Sequence, residues 1–260
     1  MTEVKERSDR DSSPAAAQRD SWQSRTALLL GADALERLAA SRVAVVGLGG
    51  VGAMAAEMLA RAGVGHLLLV DVDVVSVSNI NRQLPALHST VGRLKTEVVA
   101  GRLVDINPSL DVQCINEYVS EESLPSLLGP LELDAVVDAI DTLSPKIALI
   151  QFCLSKGIFL VSSMGSGSKL DATKVRVDDI SRSFQCPLAH MLRKRLHKLG
   201  ITGGFLAVFS SERPDKGSVV LEESRNKKSQ TGTVSWLPAV FGCVCAQAAV
   251  KHLAGIEENA

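Results

Sequence analysis

The run Val43-Ala-Val-Val-Gly47-Leu-Gly49-Gly50-Val-Gly52 restricts the fold of this chain more than any other stretch. An apolar, β-branched segment enters a glycine-rich turn, and the turn opens onto a helical pattern over residues 50–62. Glycines suit a chain that turns tightly and lets its backbone approach a pyrophosphate, while the helix N-terminus supplies N–H donors and a positive dipole. The pattern predicts a nucleotide-binding strand–turn–helix. The plainer alternative is a turn that only packs helix on strand.

The alternation continues along the chain. Strands are predicted at residues 42–46, 66–70, 111–117, 134–139 and 158–162, with helices at 50–62, 92–106 and 145–156 between them. That order is the signature of a doubly wound, mostly parallel α/β sheet. After Gly165 the rhythm changes to strands near 174–178, 205–210 and 218–221, a basic helix near 187–198, and a closing helix from Pro238 to about Leu253. The reading is one Rossmann-like domain behind a polar tail at 1–23. Its ATP-binding core covers 24–165, and antiparallel strands with a basic helical segment extend it over 166–260.

Composition narrows the setting. The chain has 260 residues, 46% of them hydrophobic, which is enough for a substantial core. Cys114, Cys153, Cys186, Cys243 and Cys245 are odd in number and show no C-x-x-C spacing, so a reducing, cytoplasmic compartment is expected. Residues 1–23 lack the apolar run of a secretory signal and are too acidic for a transit peptide. The apolar stretch at 236–250, broken by Pro238 and Gly242, is read as too short to span a bilayer, so no membrane partner is expected. A net charge of −1 with only six Phe, two Trp and one Tyr argues against a nucleic-acid module built on aromatic platforms.

Asp71 ends the second predicted strand, 24 residues after Gly47, where a ribose-binding carboxylate belongs. To that point an NAD-dependent dehydrogenase fits equally well. The continuation Asp71-Val-Asp73-Val-Val-Ser-Val-Ser-Asn79-Ile-Asn81-Arg82-Gln83 separates the two. A dehydrogenase has no obvious use for a second acid, an amide and an arginine there; a triphosphate site does. Arg82 offers a rigid, permanently charged fork, and Asn79, three residues earlier, faces the same side of a helical turn. Lys95 and Asp141 fall at the C-terminal edge of the predicted sheet, where a lysine neutralises phosphates and an aspartate holds Mg²⁺. Singly, they read as a solvated helix residue and a helix cap. With Arg82 they make an ATP site.

Gly47-Leu-Gly49-Gly50-Val-Gly52, Gly63-Val-Gly65, Asp71-x-Asp73, Asn79-x-x-Arg82-Gln83, Lys95 and Asp141 together resemble the adenylating enzymes related to ubiquitin activation. That family includes the bacterial molybdopterin- and thiamine-pathway adenylyltransferases. The resemblance covers about residues 25–165. It implies that Asp71 holds the ribose of ATP, that Asn79, Arg82 and Lys95 contact phosphates, and that Asp141 binds Mg²⁺. Gly47, Gly49, Gly50, Gly52, Asp73 and Gln83 complete the implied nucleotide site. Arg25 resembles the arginine that such enzymes lend to the partner subunit's ATP, which implies a homodimer. Its plainer reading is a surface charge ahead of an amphipathic helix.

Departures from the family pattern matter too. Many molybdopterin-type members carry two C-x-x-C pairs for structural zinc; this chain has none, and no zinc is expected. Cys243-Val-Cys245 has the wrong spacing and reads as packing in an apolar helix. Cys186 is the one candidate thiol nucleophile outside a predicted strand or core helix.

The second half resembles the tRNA threonylcarbamoyladenosine dehydratase branch of the family. Residues 179–189, the basic helix over 192–198, Val208-Phe-Ser-Ser-Glu212 followed by Pro214, and Gly232-Thr-Val-Ser-Trp-Leu-Pro238 carry that likeness. The branch's usual Asp-Pro-Leu stands here as Cys186-Pro187-Leu188. The resemblance implies ATP-dependent cyclisation of threonylcarbamoyladenosine in tRNA through an acyl-adenylate, with release of AMP and pyrophosphate. It also gives Arg182, Arg193, Lys194, Arg195 and Lys198 a role in tRNA binding by charge neutralisation. They are the only charged Lys, Arg, Asp or Glu residues in 180–211, and Arg225, Lys227 and Lys228 follow. Outside 180–211, residues 25–260 carry 19 bases against 24 acids, so the near-neutral total hides one basic segment on an acidic body.

Three other readings compete. The first is an adenylyltransferase for the C-terminal glycine of a ubiquitin-like sulfur carrier. The second is a dehydrogenase, and the third a nucleotide-binding scaffold that recruits a sulfur-transfer protein. The plain reading of the basic segment is a solvated helix face.

Overall fold

The computed structural model describes residues 21–221 and 229–256; the expectations for residues 1–20 and for Arg225, Lys227 and Lys228 lie outside them. Two helices, α1 (Ser24–Leu30) and α2 (Ala32–Ala40), precede β1 (Arg42–Val46). Val43, Ala44, Val45 and Val46 of β1 are all buried, so both faces of the strand are covered, as its continuous apolar run requires. Alternation sorts them: Val43 and Val45 join one core cluster, Ala44 and Val46 the other.

The chain continues through α3 (Gly52–Ala62), β2 (His66–Val70), α4 (Lys95–Ile106), β3 (Asp111–Ile115), a short α5 (Leu124–Leu127) and β4 (Ala135–Asp138). It then forms α6 (Leu143–Lys156), β5 (Phe159–Ser163), β6 (Val175–Asp179), α7 (Pro187–Lys198) and β7 (Leu206–Ser210). A two-stranded ribbon, β8 (Val219–Leu221) with β9 (Ser229–Thr231), leads to α8 (Trp236–Leu253). The main sheet has seven strands in the order β3-β2-β1-β4-β5-β7-β6. Pairing is parallel throughout except for the edge strand β6, which runs against β7. The chain thus switches from one side of β1 to the other between β3 and β4. Such a switch opens a crevice at the carboxyl ends of the strands, where open α/β sheets bind ligands.

Helices α3, α4 and α8 bury residues in the first cluster, α6 and α7 in the second. Most strand bounds fall within two residues of the sequence expectation. Helix α8 starts at Trp236, with Pro238 in its first turn, where the missing proline N–H costs nothing. Its 18 residues are, by length and composition, enough to cross a membrane, which revises the expectation that this stretch is too short. Here it buries Leu237, Phe241, Cys245 and Ala249 against the sheet and α3. Its two cysteines differ: Cys245 packs in the core as expected, whereas Cys243 is exposed and does no packing there.

Candidate active site

The glycine-rich turn follows β1 at the crevice. Gly47 has φ +90°, and a side chain there would meet the Ala139 carbonyl at 2.9 Å. Gly52 approaches more closely still, since a Cβ would stand 1.7 Å from the Gly47 carbonyl oxygen. These two glycines let the turn close. Gly50 serves another purpose: it lies under Pro238 of α8 and the Arg82 carbonyl, at 2.8 and 2.9 Å from a hypothetical Cβ. At Gly49 the nearest such contact is the Gln83 side chain at 3.8 Å, so this glycine leaves its side of the loop open.

Asp71 follows β2 and binds the turn directly. Its Oδ2 accepts from Leu48 N at 2.5 Å and its Oδ1 from Asp73 N at 2.8 Å. The carboxylate therefore joins the phosphate loop to the segment carrying Asp73, Asn79 and Arg82. Asn79 caps a turn of 3-10 helix by accepting from Ser76 N at 3.1 Å. Arg82 donates to the Ser78 carbonyl and to Asn81 Oδ1, each at 2.9 Å. Gln83 is buried, and its Oε1 has no hydrogen-bond partner. The Gln83 atom nearest the open side of Gly49 is Nε2, an amide donor that suits an acceptor such as a phosphate oxygen.

Lys95 opens α4 and is itself buried, with its Nζ 2.8 Å from Asp73 Oδ2. Asp141 is exposed just beyond β4. The fold therefore brings Asp71, Asp73, Arg82, Lys95 and Asp141 to one edge of the sheet. Arg25 is exposed on α1. Of the basic segment, Arg182, Lys194, Arg195 and Lys198 are exposed. Arg193 is half-buried and tied to Ser183, donating to its carbonyl at 2.7 Å and to its hydroxyl, so it braces the start of α7.

Sequence reasoning missed the support beneath this edge. Asp138, the last residue of β4, and Lys146 of α6 form an ion pair at 2.6 Å with both side chains fully buried. Lys146 also donates to Ser162 Oγ and the Ser163 carbonyl, each at 3.0 Å, and Ser162 donates to Asp138 at 2.6 Å. Asp138 Oδ1 accepts from Ile140 N at 3.0 Å and so shapes the turn that carries Asp141. The signal was a lysine in the first turn of α6, directly ahead of the apolar run Ile147-Ala-Leu-Ile150. Glu212 was likewise passed over as a contact: its carboxylate accepts from Leu170 N and Asp171 N, pinning the loop after β5. On that loop Lys169 is buried and donates to the Gly165 carbonyl at 2.7 Å. Burial pushes its ammonium down, against the pull of Cys186 and Glu212.

Cys186, the candidate nucleophile, is buried at the N-cap of α7. Burial pushes the Cys153 thiol up to about 12 and raises Cys245 as well, so neither is a ready thiolate.

A family model described as the ThiF family matches residues 23–260. The chain belongs to the ThiF family. Among curated ThiF-related proteins, it is 44% identical over 205 residues to the tRNA threonylcarbamoyladenosine dehydratase of Bacillus subtilis, covering 79% of each chain. It is 35% identical over 154 residues to the molybdopterin-synthase adenylyltransferase of Escherichia coli, covering 59% of this chain and 61% of that one. The crystal structure of the Escherichia coli tRNA N6-threonylcarbamoyladenosine dehydratase in complex with ATP superposes with a TM-score of 0.82 at 36% identity. That match covers 94% of this chain and 96% of the other. The seven-strand, mostly parallel sheet is thus the fold of that dehydratase.

Proposed function

We infer that this ThiF-family chain is an ATP-dependent tRNA threonylcarbamoyladenosine dehydratase of the adenylating type. The observation that carries the reading is the extent of the likeness. Resemblance to the dehydratases runs through nearly the whole chain, α7 and α8 included, whereas the molybdopterin-synthase adenylyltransferase matches a smaller share of it.

The site residues fit ATP. The turn at Gly49 is open, α3 points its N-terminus at it, and the Gln83 Nε2 donor lies beside it. In this reading Asp71 takes the ribose, and Arg82 with Lys95 the phosphates. The exposed carboxylate of Asp141 suits Mg²⁺, an ion held by one or two carboxylates plus phosphate oxygens while it keeps several waters. When bound, Mg²⁺ neutralises phosphate charge. In the reaction the threonyl carboxylate attacks the α-phosphorus and pyrophosphate leaves. Arg82 and Lys95 stabilise the charge that builds on the phosphate oxygens. The neighbouring carbamoyl group then attacks the acyl carbon, AMP leaves and the carbamoyl proton passes to solvent. Ring closure is intramolecular, so its high effective molarity replaces an enzymic nucleophile. The buried position of Cys186 agrees with this.

Two features support a homodimer with Arg25 acting in trans. Helix α1 buries none of its residues, and Leu28 and Leu29 are 87% and 83% exposed beside Arg25. Adjacent bare leucines on a helix that buries nothing suit a surface that a second copy covers. In this reading the exposed Lys194, Arg195 and Lys198 of α7 meet the tRNA phosphates, with Arg182, which pairs with Asp178 at 3.4 Å, beside them.

The test offers ATP with tRNA carrying the modified nucleoside, with unmodified tRNA, or with a ubiquitin-like sulfur carrier. AMP release with the modified tRNA alone is expected. AMP release with only the carrier would overturn the reading in favour of a sulfur-carrier adenylyltransferase.

A further inference from the structure

The chain uses few aromatic residues, yet Trp236 is left 48% exposed. Its place is specific. It lies in the first turn of α8, two residues before Pro238, which packs on Gly50 of the phosphate loop. The segment just before it is held to the Arg82 loop, where Asn81 Nδ2 donates to the Thr233 carbonyl at 3.3 Å. It is also held to the loop after β5, where Ser168 N donates to the Gly232 carbonyl at 2.8 Å. The indole Nε1 donates to the Leu170 carbonyl at 2.8 Å, and Leu170 is in turn fixed by Glu212. Trp236 therefore bridges the phosphate loop and the loop after β5 at the carboxyl edge of the sheet. Its polar atom is satisfied, its ring is oriented and much of its apolar surface is bare.

Packing does not account for that surface. The next two residues, Leu237 and Pro238, are buried, as is Phe241, and they seat α8 without help from the indole. A substrate whose reactive carboxylate hangs from a base in RNA must bring that base to this rim, and a base leaves its stack only if another flat surface receives it. A ring already locked by its N–H loses little entropy in doing so. We propose that Trp236 is a substrate-binding residue on which an unstacked nucleobase of the tRNA, the modified adenine or its neighbour, lies during the reaction. This rests on the dehydratase reading, and it reverses the expectation drawn from aromatic scarcity: one placed ring serves where a platform of many is absent.

Trp22 and Trp236 are the only two tryptophans, so Trp22→Phe leaves a single reporter. In that background, tRNA carrying the modified nucleoside should quench the indole emission saturably. Trp236→Ala should raise the KM for this tRNA about tenfold or more, with the KM for ATP unchanged. Trp236→Phe, which keeps a stacking face, should recover most of the loss. Emission unaffected by saturating tRNA would overturn the proposal, as would an unchanged KM for tRNA in Trp236→Ala. Loss of the dimer on size-exclusion chromatography of Trp236→Ala would also overturn it, by assigning the ring to a subunit contact. If the unaltered protein converts no tRNA, the dehydratase reading itself falls. If it converts tRNA and only the Trp236 results fail, the platform alone falls.

Discussion

Lys146→Met should be among the most damaging single substitutions in this protein, though Lys146 reaches no ligand-facing surface. Its ammonium is fully buried and makes three contacts, at 2.6 Å to Asp138, 3.0 Å to Ser162 and 3.0 Å to the Ser163 carbonyl. Methionine preserves most of the volume, so the loss is electrostatic rather than a cavity. Asp138 would keep one hydrogen bond from Ser162 and one from Ile140 N, but its charge would be uncompensated in the interior. Breaking a buried pair from one side costs about 3–5 kcal/mol. In a protein of this size that corresponds to a fall in Tm of roughly 6–20 °C. The assay is a thermal melt of wild type, Lys146→Met, and Lys146→Met combined with Asp138→Asn. The double variant removes the stranded charge and should regain more than half of the loss. A single variant melting within about 1 °C of wild type would refute the reasoning. So would a double variant less stable than the single.

Other perturbations separate architecture from chemistry. Gly49→Ala should fold normally but bind ATP more weakly, because its Cβ enters open space on the phosphate side. Gly52→Ala should lower Tm, because its Cβ would collide with Gly47 at 1.7 Å; melts with and without ATP distinguish the two. Arg82→Ala, whose bonds are to its own loop, should leave Tm unchanged while slowing AMP release at saturating ATP by about 100-fold or more. Charge reversal of Lys194, Arg195 and Lys198 to Glu should weaken tRNA binding and flatten its salt dependence with ATP binding intact; equal loss of both would contradict an RNA-binding face. Glu57, buried on α3, is raised by desolvation, but hydrogen bonds from Arg102 and Arg61 outweigh this and hold it below its ordinary 4.5. A depressed carboxylate stabilises the fold above its unfolded pKa. Glu57→Gln should therefore melt lower than wild type near pH 7, and the gap should close as pH falls below 4.5.

The parallel core was legible because its signals are local. A β-branched run before glycines, or an aspartate at a strand end, states its role within a few residues, and β1 and β2 fall where periodicity put them. The short β9 and α5 were not: neither Ser229–Thr231 nor Leu124–Leu127 carries the β-branched apolar run that marks the equally short β8. Within the site, single residues were chosen by type and by position after a strand. What could not be read was pairing across sequence. Lys146 meets Asp138, Glu212 meets Leu170 and Asp171, Arg182 pairs with Asp178, and Arg193 turns back to Ser183. The Glu212 contacts, and those of Lys146 to Ser162 and Ser163, depend on sheet order, which brings β4 beside β5 and β5 beside β7; the Asp138 and Ser183 contacts depend on how each helix turns back on the segment before it. Arg193 shows the cost of counting charge without geometry: a sum over the segment credits it to RNA, while its hydrogen bonds assign it to the start of α7.

In the proposed reaction this site activates a carboxylate on a tRNA nucleoside and the nucleoside closes into a ring. Mass analysis of nucleosides digested from threonylcarbamoyladenosine-bearing tRNA, after incubation with the protein, ATP and Mg²⁺, tests it most directly. The expected product is a modified nucleoside lighter by one water, formed in step with AMP. An unchanged nucleoside, with AMP formed only when a carrier protein is supplied, would contradict it.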